Sequence, residues 1–268
     1  PMSRAITVRL AFGIVIFSFL CSLFIASIFS ALDPSVLSGS PLGFFSYFAL
    51  FLAQIFLVVP IVIFLRRNQM SLLENFRLNV ITNRTVLLSM LLSFGTVMIS
   101  SEINIIIDKI VPIPQSFLNL ETLLSPESSV SMLLIFTTIV LIAPIGEEMV
   151  FRGFLQQYLE DYWGDITRAI LATSLFFAFI HFNPYWAIQI YIMGLLLGYL
   201  SWKTKSIYPS IIVHIAINGT SMLFLALGEN AEKSLLWNDH IHPLLLLLGA
   251  IAFWYGLKYI RAERVNIL

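Results

Sequence analysis

The chain has very little of what a soluble protein uses on its surface. Of 268 residues only 11% are charged, while 59% are hydrophobic, and the mean hydropathy is +0.91. The longest polar connections, about 66–84, 108–129 and 228–241, are too short to fold as a separate soluble domain. Cys21 is the only cysteine, so no intramolecular disulfide and no cysteine-based metal cluster can form. It lies in a uniformly apolar stretch with nothing nearby to activate it. Internal repeats and low-complexity tracts are also missing, which argues against the paired broken helices of many transporters.

What is present is a series of apolar runs near the roughly 20 residues that a spanning helix needs. They predict an all-α, polytopic membrane protein with about eight transmembrane helices enclosing an intramembrane polar site. The expected spans are 6–31, 43–65, 85–107, 130–156, 166–182, 185–201, 207–227 and 242–260. Residues 1–268 read as one transmembrane domain with a motif-bearing core at about 130–227. Pro1 ahead of Met2 reads as the scar of a cleaved tag, and the first apolar run is too long for a cleavable signal segment. Asn183-Pro184 must turn the chain between two apolar runs without a long polar loop.

The formal net charge is zero, yet the signs are sorted. Alternate connections hold Arg4, Arg9, Arg66, Arg67, Arg77, Arg84, Arg168, Lys203, Lys205, Lys258, Arg261 and Arg264. The other set holds only Lys109 and Lys233, beside Asp33, Asp108, Glu121, Glu127, Glu229, Glu232 and Asp239. The positive-inside rule puts the first set and both termini in the cytoplasm.

Against this background Glu147, Glu148 and Arg152 stand out, because a charge near the bilayer centre costs roughly 2.5 to 3.5 kcal/mol even on the lenient insertion scale. Glu148 and Arg152 are four apart and share a helical face, so they are expected to form a structural ion pair. Glu147 is rotated from them by about 100° and has no cation on its own helical face, which suits a general base. Pro144, lacking an N–H, should loosen the helix just before them. His181 falls at the far end of the fifth span, at a height where it can meet Glu147. His214 and Asn218, again four apart, put two polar groups on one face of the seventh span and make a candidate oxyanion hole. Gly194 and Gly198 form a Gly-x-x-x-Gly expected to serve close packing, and His240 with His242 read as polar outer-loop residues.

Rival protease chemistries lack their motifs: no His-Glu-x-x-His, no Gly-x-Ser-Gly and no Gly-x-Gly-Asp occurs. Glu147-Glu148-x-x-x-Arg152, Phe177-x-x-x-His181 and His214-x-x-x-Asn218 occur in that order on different spans. Together they resemble the CAAX protease and bacteriocin-processing group of intramembrane proteases, which includes the type II CAAX prenyl endopeptidases. The resemblance covers about residues 140–220 and implies an eight-helix fold, with Glu147 and His181 activating water. It also implies His214 and Asn218 as oxyanion donors and a mainly structural role for Glu148 and Arg152. The expected function is a glutamate-dependent intramembrane endopeptidase acting on a membrane-associated substrate, by CAAX-type C-terminal processing or by bacterial peptide or surface-protein maturation. Its site is expected to open toward the cytoplasm or the lateral bilayer. A non-catalytic scaffold or immunity protein of the same fold and a proton-coupled transporter are the alternatives.

No cofactor is expected; the alternative is zinc held by Glu147, His181 and His214 with water in the fourth place. Expected partners are membrane lipid and a peptide or lipidated-protein substrate, not nucleic acid, and the sequence assigns no oligomeric state.

Overall fold

A computed structural model describes residues 6–38, 42–114, 126 and 128–260. The helices are α1 (Val8–Ser30), α2 (Pro34–Ser38), α3 (Phe44–Arg67), α4 (Leu72–Asn75), α5 (Asn83–Ile110), α6 (Ser129–Trp163), α7 (Ile166–Phe179), α8 (Ala187–Thr204), α9 (Tyr208–Leu227), α10 (Glu229–Lys233) and α11 (Pro243–Tyr259). A two-stranded hairpin, β1 (Leu236–Trp237) with β2 (His240–Ile241), is the one sheet among the described residues. The all-α polytopic architecture is therefore as expected. Among the described residues five helices, α1, α3, α5, α6 and α9, are long and apolar enough to cross a membrane by length and composition. The remaining three expected spans correspond to α7 and α11, which are shorter apolar helices, and to α8.

Local chemistry sets the helix starts. Thr7, Thr82, Ser128 and Asp165 accept hydrogen bonds from the backbone N–H three residues on, satisfying donors that a first turn leaves free. Pro209 and Pro243 fall in the first turns of α9 and α11, where their missing N–H costs nothing. Gly164, in the left-handed region at φ 63°, reverses the chain between α6 and α7. The Asn183-Pro184 turn is built by Asn183, whose Oδ1 accepts from the N–H groups of Tyr185 and Trp186.

α1 packs on α3, α5 on α11 and on α9, and α7 on α8. Gly95 and Gly249 bring α5 and α11 into backbone contact: a Cβ at Gly95 would lie 2.5 Å from the Gly249 carbonyl oxygen. The largest core gathers Ile61, Leu65, Phe76, Phe151, Phe154, Tyr158 and Phe177. Large apolar side chains such as Phe24, Leu87, Leu133 and Leu247 face outward, as a lipid-facing surface requires.

The molecule has two chemically different ends. At one, Tyr158 donates to the Ile6 carbonyl, Gln157 to that of Glu74, Arg77 pairs with Glu160, and the Ile207 N–H donates to the Arg77 carbonyl. These contacts gather the start of α1, the α3–α5 connection, the end of α6 and the α8–α9 turn. At the other end Glu102 accepts from His240 Nδ1 at 2.6 Å and from the Ile241 N–H at 2.9 Å, and Lys109 Nζ reaches His240 Nε2 at 2.8 Å. That clasp fixes the hairpin to α5. Arg4, Glu121, Glu127, Arg261 and Arg264, which contribute to the charge sorting, lie outside the described residues, as do both termini.

Candidate active site

α6 is not a uniform α-helix. Two π-helical stretches, Thr138–Ile142 and Met149–Gln156, flank a short α-helical piece, Ala143–Glu148. The Ala143 N–H reaches back five residues to the Thr138 carbonyl, and Pro144 follows in the first turn of the α-helical piece. Pro144 is thus accommodated by widened backbone upstream of it. The widened turn also leaves the Ile139 carbonyl as an acceptor for Asn218 Nδ2 at 3.0 Å.

Between the π-helical stretches the two glutamates diverge as their spacing requires. Glu148 is fully buried, and its Oε1 accepts from Arg152 Nη1 at 2.9 Å and from His214 Nδ1 at 3.1 Å. Arg152, only 1% exposed, donates its Nη2 to the Gly194 carbonyl at 3.3 Å and stacks its guanidinium 4.2 Å from the centre of the Phe177 ring. Glu147 turns the other way, and its Oε2 lies 3.8 Å from His214 Nε2. His214 therefore bridges both carboxylates, holding Glu148 with one nitrogen and facing Glu147 with the other.

His181 points its Nδ1 at the Phe177 carbonyl, 2.6 Å away. A carbonyl only accepts, so Nδ1 carries the proton and Nε2 is the nitrogen left for chemistry. The Phe177 ring also meets His181 edge-on at 4.7 Å and His214 at 6.1 Å, so one aromatic residue positions both histidines and Arg152.

Glu147, His181, His214 and Asn218 all line one cavity of about 720 Å³. Its other walls are mostly apolar, including Met132, Ile135, Ile139, Ile190, Met193 and Met222. A second cavity of about 150 Å³ lies behind Glu147 and His181, against Phe19, Ser22, Gln54, Leu57 and Ile180. The main cavity extends toward the end of the molecule that carries the hairpin, with Asn104, Pro126, Trp186, Leu225 and Ala226 in its walls. The expected opening was toward the cytoplasm or the lateral bilayer; at the basic end the space below Glu148 is filled by buried Phe154, Leu155, Gln156, Tyr158 and Glu160.

Three residues that the sequence reading did not assign to the site complete the polar frame. Gln156 and Glu160 continue the four-residue spacing of Glu148 and Arg152 along α6, and Gln156 Nε2 donates to Glu160 Oε1 at 2.8 Å and to the Gly198 carbonyl at 2.9 Å. Glu160 in turn pairs with buried Arg77. The i, i+4 stripe was present in the sequence as a signal; Arg77, 83 residues from its partner, was not reachable by local spacing. Gly194 and Gly198 act in packing, as expected, and their carbonyls also accept from Arg152 and Gln156. A Cβ at Gly198 would lie 2.7 Å from Gln156 Oε1.

As to zinc, Glu147, His181 and His214 share the cavity, but among the described residues no group of three His, Cys, Asp or Glu side chains is close enough to hold a metal ion. Each histidine commits its Nδ1 to a protein acceptor.

All the motif residues fall inside one recognisable stretch. Residues 129–220 match the family of type II CAAX prenyl endopeptidases, Rce1-like. No curated protein and no solved structure matches the chain at comparable stringency. The Rce1-like stretch contributes α6, α7, α8 and most of α9, and so carries every side chain of the Glu148–Arg152–His214 network and the four cavity-lining polar groups described above. Arg77 and the wall of the second cavity formed by α1 and α3 come from outside it.

Proposed function

We propose that this protein is a glutamate-dependent intramembrane endopeptidase that hydrolyses a peptide bond of a membrane-associated substrate. The observation that carries the reading is the convergence of Glu147 from α6, His181 from the turn after α7, and His214 and Asn218 from α9 on one cavity with mostly apolar walls. Buried ionisable groups are disfavoured in a membrane, and their gathering around a space large enough for a peptide segment gives that cost a use.

The chemistry follows from which atoms are free. Glu147, turned away from the face of α6 that carries Arg152, takes a proton from water as that water attacks the scissile carbonyl. His181 Nε2, freed by the Nδ1 bond to Phe177, holds the water, then receives from Glu147 the proton taken from that water and delivers it to the leaving amine, which returns Glu147 to its carboxylate. A C–O bond forms, the C–N bond breaks, and one water is consumed. Asn218 has one amide hydrogen on Ile139 and a second available to the developing oxyanion. His214 Nδ1 is taken up by Glu148, so donation to the oxyanion through Nε2 requires the doubly protonated ring. Arg152 and Glu148 hold His214 in place without touching substrate.

The test is incubation of the purified protein in lipid with a panel of prenylated and unprenylated C-terminal peptides and membrane-anchored exported peptides, with products read by mass spectrometry. Wild type is expected to cleave a member of the panel. Glu147→Gln and His181→Ala are expected to lose about 100-fold or more in turnover, in line with removal of a general acid or base, while melting like wild type. A fully active Glu147→Gln enzyme would exclude Glu147 as the base.

A further inference from the structure

The cavity lining and the charge sorting, taken together, say from which side of the membrane the site is reached. On α6 the lining runs from Glu147 to Met132, about 22 Å at 1.5 Å per residue, toward the helix start and away from Glu160. On α9 it runs from His214 to Leu225 and Ala226, again toward the hairpin end. Asn104 near the end of α5 and Trp186 before α8 belong to the same end. In the other direction the path is blocked by Arg152, Gln156, Glu160 and Arg77, all buried and bonded to one another or to the Gly194 and Gly198 carbonyls.

The blocked end is the basic one. Arg66, Arg67, Arg84, Arg168, Lys203 and Lys258 lie at it, against Lys109 and Lys233 at the other. Several of these cations rest on tryptophan faces, Arg168 on Trp163, Lys203 on Trp202 and Lys258 on Trp254, the pairing of basic and amphipathic aromatic side chains found at a membrane–water interface. Lysine and arginine near span ends mark the cytoplasmic side.

We propose that the active-site cavity is entered from the extracytoplasmic face, so that the substrate is a membrane-attached exported peptide or the extracytoplasmic juxtamembrane segment of a membrane protein, cut at an internal bond. This rests on the endopeptidase reading for its chemistry but not for its geometry. A cytoplasmic protein lipidated at its C-terminus is presented at the opposite, sealed end. The cavity walls also contain no lysine or arginine among the described residues, so a free substrate carboxylate finds no cationic partner in them, whereas the uncharged backbone of an internal segment suits Met132, Ile135, Ile139 and Met222.

The experiment separates access from activity. In a Cys21→Ala background, single cysteines are placed at Ser221 in the cavity wall, at Ser234 in the hairpin end and at Asn68 in the basic end. A small membrane-impermeant thiol reagent is then applied to spheroplasts and to inverted vesicles of the expressing bacterium. Ser221→Cys and Ser234→Cys are expected to label at least tenfold faster in spheroplasts, and Asn68→Cys at least tenfold faster in inverted vesicles. Labelling of Ser221→Cys from the cytoplasmic face, or from neither face, overturns the proposal whatever the enzyme cleaves.

The activity arm adds the same peptide panel to each preparation. Cleavage of an exported peptide at an internal bond by spheroplasts, absent with Glu147→Gln, supports the substrate class. Cleavage of prenylated C-terminal peptides alone overturns it. If no peptide is cut by either preparation while labelling follows the expected pattern, the endopeptidase reading falls, the substrate class falls with it, and the access route stands.

Discussion

His214 Nδ1 and Arg152 Nη1 share a single oxygen, Oε1 of Glu148, at 3.1 and 2.9 Å. Because Glu148 is fully buried, this shared acceptor ties the orientation of a cavity-lining histidine to an ion pair within α6. Arg152→Ala should leave Glu148 with the His214 Nδ1 bond but without its guanidinium, and remove the stack on Phe177. Breaking a buried pair from one side costs roughly 3 to 5 kcal/mol, so Arg152→Ala is expected to melt well below wild type in detergent. Arg152→Lys should recover only part of that loss, because an ammonium cannot make the two divergent bonds to Glu148 and Gly194 while lying over a ring. Wild-type stability in Arg152→Ala would show that the pair holds nothing together.

Much of this frame was legible from residue spacing. The four-residue intervals of Glu148–Arg152 and His214–Asn218 fixed which groups share a face, and the apolar runs located the helices to within about three residues except α6, which continues to Trp163, beyond the expected end at 156. What spacing could not give was anything set by a partner far along the chain. Arg77 finds Glu160 only after α3, α4 and α6 have packed, and Gly95 finds Gly249 only because α5 and α11 lie side by side. The direction of the cavity belongs with these. It depends on which end of the bundle is filled by Phe154, Leu155 and Tyr158, and no single helix carries that information.

Close helix approach gives a second, internally controlled prediction. A Cβ at Gly95 would meet Gly249 O and Phe253 N at 2.5 Å, both backbone atoms that cannot swing aside, whereas a Cβ at Gly13 meets nothing within 4 Å. Gly95→Ala is expected to destabilise by about 1 to 3 kcal/mol or more through forced separation of α5 and α11. Gly13→Ala, in the middle of α1, should be neutral or stabilise by up to about 1 kcal/mol from helix propensity alone. Thermal melts of the two variants side by side are the check; equal melting would mean that α5 and α11 do not touch at Gly95.

Asp33, in the α1–α2 turn outside the spans, predicts a pH dependence. Burial would raise its carboxyl, but hydrogen bonds from Ser35 and Ser46 overcome that and hold it at about 2, below its ordinary 3.8. A carboxylate depressed on folding stabilises the native state fully above its unfolded value, and that stabilisation is lost as pH falls through the folded value. The melting difference between wild type and Asp33→Ala should therefore be constant from about pH 5 to pH 7 and shrink steadily toward pH 2. A difference that stays constant down to pH 2 would mean that Asp33 acts by shape and not by charge.

The last prediction concerns metal. Glu147, His181 and His214 are the residues that would hold zinc, and two of them offer a free Nε2. Their positions argue against a built site. His214 Nε2 already stands 3.8 Å from Glu147 Oε2, the separation of a loose ion pair, and among the described residues no three His, Cys, Asp or Glu side chains gather closely enough to hold a metal ion. The Arg152 guanidinium, drawn onto Glu148 a few ångströms away, already supplies the positive charge that a zinc ion would otherwise bring next to the two glutamates. Asn218, four residues from His214 on the same face, adds a hydrogen-bond donor and not the Cys, His or carboxylate that zinc prefers. Protein purified without added metal is expected to contain well under one zinc per chain and to keep its peptidase activity through dialysis against a strong chelator. Stoichiometric zinc, with activity lost to the chelator and restored by zinc alone, would replace the glutamate–histidine water activation proposed above with a metal-bound nucleophile.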